Sequence, residues 1–198
     1  MMLPSVKLCD SSVTSVVNPR HLIFVATLAL ALVVPAAEAK GTQDLAKVEA
    51  AFTPGDDIAG LIAGRIAKAR KSVRMQAYLL TDRAIARALM AAARRGVEVE
   101  VIGDAAQHEA GGLPWLAALE KAGARVYLNT SHAASHNKIV IVDGGGAGAT
   151  VITGSYNFTQ AAQARNAENV VVISGNRAIT DRFVANFDLH RRQSLPWH

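Results

Sequence analysis

Over residues 72–128 the chain switches repeatedly between short period-two runs and alanine-rich stretches of helical spacing, and each of those helical stretches closes on a glycine. Val73, Met75 and Ala77 fall on one side of a strand predicted over residues 72–80. Thr81 is the predicted N-cap of a helix running to Arg95 through Ile85 and Leu89, and Gly96 ends it. Residues 97–102 alternate valine or isoleucine with glutamate, the pattern of a half-buried strand. Residues 113–122 predict a helix stopped by Gly123, and residues 125–128 another strand. Residues 105–112 read as a loop at the mouth of a site. Elements in this order bury their apolar faces only by laying helices on a sheet, so the architecture is α/β.

The flanks extend this scheme. Residues 48–52 predict a first strand, Thr53-Pro54-Gly55 a turn, and Ile58, Leu61, Ile62 and Ile66 a helix with Asp56 and Asp57 at its positive end. After Ser135 the pattern changes. Residues 138–142 are a β-branched run, residues 144–146 are three glycines, and residues 150–153 form a second run, which together predict a hairpin. A hairpin next to crossover connections makes the sheet mixed. Residues 170–173 give a further strand, and Asn176 is placed to cap a last helix with Ile179, Phe183 and Phe187 on one face. The fold class is therefore a mixed β-sheet flanked by helices on both faces.

The first forty residues are of another kind. Arg20 and His21 precede an apolar run over residues 22–34, Pro35 breaks it, and Ala37 and Ala39 are the small residues of a cleavage site. This predicts a signal peptide over 1–39 and a single domain over 40–198 that is exported to the periplasm or secreted. The run is short for a span of about 20 residues, so a retained anchor is the weaker alternative. Cleavage removes Lys7, Arg20, Asp10 and Glu38, two charges of each sign, and leaves the net charge of +5 unchanged. It also removes Cys9, the one cysteine, and with it any disulfide, thiol nucleophile or cysteine metal site. With 51% hydrophobic and 19% charged residues the composition is globular rather than disordered, and the positive balance favours anionic partners.

The chemistry is concentrated in His136-Asn137-Lys138, Asp143 and Gly154-Ser155-Tyr156-Asn157. In a strand, residues two apart share a side, so His136 and Lys138 project together, an imidazole beside a fixed cation. An ammonium is a poor core residue without a partner, but it suits a phosphate. His132 and His136 stand four apart, a metal-pair spacing only on a helix, and residues 131–135 read as loop, so no metal site is expected. Trp115 and Tyr156 are aromatic candidates for a substrate groove, Trp115 better explained as core.

These residues resemble the H-x-K-x4-D motif of the phospholipase D superfamily, with its following glycine-serine turn. Four residues, 139–142, separate Lys138 from Asp143 as the motif requires. Ten residues, 144–153, separate Asp143 from Gly154, a longer spacing than the family's usual one. The G-S-x-N form, with Asn157 two after Ser155, is similar to the single-motif, Nuc-type bacterial endonucleases. Residues 72–78, Arg94-Arg95-Gly96-Val97, 157–162 and 166–169 also resemble that subfamily. The resemblance implies a phospholipase D/nuclease-like fold and a metal-independent phosphodiesterase with no cofactor. It implies His136 as nucleophile and, since the chain has one such motif, His136 of a second copy as the acid in a homodimer sharing one site. Lys138, Asn157 and Ser155 would hold phosphate oxygens, Glu168 would orient the imidazole, and Asp143 would be structural. The expected substrate is nucleic acid, cut without sequence preference along a groove lined by Arg65, Lys68, Arg70, Lys71, Arg74, Arg94 and Arg95. The alternatives are a lipid hydrolase releasing phosphatidic acid and a non-catalytic nucleic-acid-binding protein.

Overall fold

The computed structural model describes residues 46–197. The segment read as a signal peptide lies outside them. The chain runs β1 (Lys47–Thr53), α1 (Ile58–Ala67), β2 (Ser72–Ala77), α2 (Arg83–Arg94), β3 (Glu98–Asp104), α3 (Ala105–Glu109), α4 (Leu116–Lys121) and β4 (Arg125–Asn129). It continues through β5 (Lys138–Val142), β6 (Thr150–Gly154), α5 (Gln160–Ala164), β7 (Glu168–Ser174), α6 (Arg177–Arg192) and β8 (Ser194–Pro196). All eight strands join one sheet in the order β1-β7-β6-β5-β2-β3-β4-β8. β2, β3 and β4 are parallel neighbours, and every other pairing is antiparallel.

The period-two pattern decides which side chains go to which face. Val73, Met75, Val99, Val101, Val140 and Val142 are buried with Ile62, Ile66, Ile85 and Leu89 of α1 and α2. Their neighbours Ile102, Ile139, Ile141 and Val151 are buried with Phe187 of α6, and Phe183 and Val184 pack against them. Helices thus cover both faces, as the patterning requires.

Several boundaries differ from the sequence reading. The cap of α2 is Asp82, whose carboxylate accepts from the Ile85 amide at 2.9 Å, not Thr81. Thr81 and Asp82 both donate their amides to the Phe158 carbonyl, which binds this turn to the segment after β6. β2 stops at Ala77, because Leu80 leaves the ladder to bridge Phe158. The 105–112 stretch is not all loop. Asp104 caps the short α3 by accepting from the Gln107 amide at 2.9 Å. The predicted 113–122 helix is shorter, Leu116–Lys121, since Pro114 precedes its first turn. α5 and β8 have no counterpart in the sequence reading; each is too short for periodicity to register.

Asp143 locks the lower end of the sheet. It sits at φ 52 and its carboxylate accepts from the backbone amides of Arg70, Lys71 and Ser72 at 2.7 to 3.1 Å. Its own amide donates to the Ser72 carbonyl at 2.8 Å, so the β5–β6 hairpin is tied to the entry of β2. Hydrogen bonds to a charged acceptor each contribute about 1.5–3 kcal/mol, so Asp143→Ala is expected to destabilise the fold by about 2–3 kcal/mol. Urea unfolding measures this, and a midpoint equal to that of the unmodified chain would refute it.

Candidate active site

Strand direction gathers the candidate residues at one end of the sheet. β2 rises to Ala77, which pairs with Lys138 at the start of β5. β6 rises to Gly154, which pairs with Val170, two residues from the start of β7 at Glu168. The segment bearing His136, the turn bearing Ser155 and Asn157, and Glu168 therefore share the end formed by the carboxyl ends of β2 and β3. Asp143 lies just past the other end of β5, roughly 17 Å from Lys138 at about 3.4 Å per residue. The glycine-rich tip at 144–148, the source of the long motif spacing, lies at that far end too.

Gly154 is required where it stands. A Cβ there would overlap the Asn169 carbonyl oxygen and come within 2.9 Å of the Val170 Cα. This close approach lets the Asn169 carbonyl accept from the amides of Ser155 and Tyr156 at 3.1 and 3.3 Å, turning the chain sharply after β6. Ser155 Oγ, thereby exposed, donates to Glu168 Oε2 at 2.5 Å and accepts from the Asn169 amide at 3.1 Å. The other Glu168 oxygen accepts from Asn166 Nδ2 at 2.9 Å. Glu168 thus accepts from Ser155 and Asn166 through its two oxygens. Asn157 Oδ1 is buried and has no hydrogen-bond partner among the described residues.

His136 and Lys138 stand side by side. Lys138 is 7% exposed, and its Nζ donates to the His136 carbonyl at 2.8 Å while lying 3.1 and 3.3 Å from the two ring nitrogens. Tyr78 completes the cluster. Its ring centroid is 4.4 Å from that of His136, and the ammonium sits 5.1 Å from the same ring, a cation–π distance. Burial holds the Lys138 pKa below the usual lysine range, and the charge of Glu168 acts in the opposite sense.

Other candidates fall elsewhere. His132 packs against His190 of α6, with ring nitrogens 3.3 Å apart, and not against His136. Burial first, and then the facing His132, lowers the His190 pKa. Tyr156 is fully buried, with its hydroxyl 3.4 Å from Gln163 Oε1 and its phenol pKa raised by burial, so it belongs to the core and not to a groove. Trp115 packs on the core.

The expected basic groove does not form around His136. Lys68 caps α1, Arg70 and Lys71 precede β2 beside Asp143, and Arg94 and Arg95 close α2. All five lie at the far end of the sheet. Arg65 is paired with Glu49, and Arg74 with the buried Glu100. Helices α1 and α2 run antiparallel to β2, so cations at their carboxyl ends are carried away from the site.

Residues that sequence reasoning missed stand behind the cluster. Asp104 is 3% exposed, and its second oxygen accepts from the Ser135 amide at 2.7 Å, fixing the approach to His136. Gln107 Nε2 donates to the Tyr78 hydroxyl at 2.9 Å. Asp104-x-x-Gln107 has the spacing of a capping box and was legible as a helix start.

Comparison with known proteins agrees with this geometry. Residues 62–191 match the family described as cardiolipin synthase, PLD-like domain. The chain belongs to the phospholipase D superfamily, and its fold is that of the single-domain Nuc type. A phospholipase D of Rickettsia felis is 37% identical over 148 residues, covering 75% of this chain and 70% of the relative. A mitochondrial cardiolipin hydrolase of Xenopus tropicalis is 31% identical, covering 61% and 55%. The crystal structure of Nuc, a phospholipase D family member from Salmonella typhimurium, superposes with a TM-score of 0.70 at 30% identity, covering 78% of this chain and 99% of Nuc. NucT from Helicobacter pylori, at 21% identity and a TM-score of 0.68, shares the fold. Membership supports a phosphodiester hydrolase.

Because the Glu168 charge favours the ammonium, Glu168→Gln is expected to lower the Lys138 pKa further. Acylation of Lys138 followed by mass spectrometry across a pH series should then begin at lower pH than in the unmodified chain. An unmoved onset would show that the two groups are not coupled.

Proposed function

We propose that this protein is a metal-independent phosphodiesterase acting as a homodimer, and that its preferred substrate is the backbone of nucleic acid, cut without sequence preference. The observation that carries the reading is the Lys138 ammonium held 3.1 and 3.3 Å from the nitrogens of an exposed imidazole. A fixed cation beside a nucleophile neutralises phosphate oxygens as charge builds on them. In this scheme a His136 nitrogen forms a bond to phosphorus, and the bond from phosphorus to one ester oxygen breaks. His136 of a second copy gives that oxygen a proton, and then takes one from the water that cleaves the phosphohistidine. Each chain has one such motif, so the acid comes from a partner across a two-fold axis. The buried, unpartnered Oδ1 of Asn157 fits a site completed from outside, since a buried acceptor left alone costs about 1–3 kcal/mol.

Nucleic acid is favoured over lipid because His136, Ser155, Asn166 and Asn169 form an exposed polar ledge open to a polymer arriving from solvent. With the lysine and arginine cluster at the far end, cations at this end include Lys138, Arg83 at the start of α2, Arg165 after α5 and Arg182, which lines a pocket with Asn137. Lipid hydrolysis is the second reading. It is supported by relatives named phospholipase D and by Phe52, 57% exposed and paired with Asn169 beside the ledge. A non-catalytic nucleic-acid-binding role has the intact His136, Lys138 and Asn157 against it. Export after cleavage near Ala39 completes the proposal.

Purified protein incubated in EDTA with plasmid DNA and, separately, with phosphatidylcholine vesicles decides among these readings. Nicked plasmid without released phosphatidic acid is expected, and His136→Ala should abolish nicking while the dimer persists by light scattering. Phosphatidic acid without nicking would transfer the protein to the lipid reading. Full activity of His136→Ala would remove the nucleophile.

A further inference from the structure

We infer that Tyr78 is a positioning residue for the nucleophile, a role that rests on the reading of His136 given above. The contacts around it close into a ring. Asp104, at the end of β3, accepts from the Gln107 amide through one oxygen and from the Ser135 amide through the other, at 2.9 and 2.7 Å. Gln107 Nε2 holds the Tyr78 hydroxyl at 2.9 Å, and the Tyr78 ring lies against His136, the residue after Ser135. The Tyr78 amide donates to the Asn137 carbonyl at 3.2 Å, which ties the ring's own backbone to the same segment.

Position matters here because His136 itself is exposed and precedes the first residue of β5, so neither core packing nor the sheet ladder holds its ring. Two groups do. The Lys138 ammonium meets the imidazole nitrogens, and the Tyr78 ring meets the imidazole at a tilt of 56°. The same aromatic ring sits 5.1 Å from the ammonium, so it supports a cation that burial otherwise disfavours. A single side chain thus restrains both the attacking ring and the charge beside it. Gln107, bonding the hydroxyl at the distal end, prevents the tyrosine from swinging away.

A restraint of this type acts on the rate of the chemical step and not on substrate affinity. A misplacement of about 1 Å at a reacting atom lowers a rate on the order of 100-fold. With bis(p-nitrophenyl) phosphate as a minimal diester, Tyr78→Leu is expected to lower kcat about 100-fold with KM unchanged. Tyr78→Phe, which keeps the ring but loses the Gln107 bond, should leave kcat about 10-fold below that of the unmodified chain, and Gln107→Leu should match the phenylalanine variant. The His136 ring-proton resonance, shifted by the aromatic ring, should survive in Tyr78→Phe and move to its unshifted position in Tyr78→Leu. If Tyr78→Leu does not fold, Gln107→Leu and the resonance in Tyr78→Phe carry the test. An unchanged kcat in Tyr78→Leu or Gln107→Leu, a rise in KM at constant kcat, or no difference in the resonance would overturn the inference. His136→Ala assayed in parallel separates the two claims. If it is inactive while Tyr78→Leu turns over normally, only the positioning role fails. If it is active, the nucleophile itself is wrong.

Discussion

An ammonium taken out of water at the end of a strand is the constraint around which this site is organised. Lys138 is nearly inaccessible, and an isolated buried cation is costly enough that neighbours must answer it. Those neighbours are the His136 carbonyl, the imidazole, the face of Tyr78 and the field of Glu168. None is a carboxylate in direct contact, so the positive charge is supported without being cancelled. A cation kept in that condition attracts a phosphate more strongly than one already paired with an acid.

The sheet makes this arrangement possible through its mixed connectivity. β5 descends from Lys138 next to the rising β2, and β7 descends from Glu168 next to the rising β6. Two segments that begin strands therefore meet two that end them, all at one rim. The opposite rim serves a mechanical purpose, since Asp143 gathers three successive backbone amides there and keeps the hairpin in register with β2. The spacing between Lys138 and Asp143 is the length of one strand, with chemistry at one end and a clamp at the other.

Much of this was legible in the sequence where the signal was local. The two periodicities separated strands from helices, and period two alone placed His136 and Lys138 together. The structural part of Asp143 came with the family resemblance and not from any pattern in the chain. What escaped was everything that depends on chain direction or on long-range contact. The basic residues 68, 70, 71, 94 and 95 cluster in the sequence near strand starts, and only the topology reveals that the starts of β2 and β3 point away from His136. Thr81 and Asp82 are both capping types, and the choice between them was made by Ile85 and Phe158. Asp104 and Gln107 support residues some thirty positions distant, which no window along the chain can register.

The glycine-rich tip between β5 and β6 is set apart from His136 and Lys138 by the length of β5. Its length can change without displacing His136 or Lys138, since both lie beyond the opposite end of β5 or at it. For the same reason it is a natural port for grafting a fluorophore or an affinity handle, one that would report on the molecule while leaving the working rim untouched.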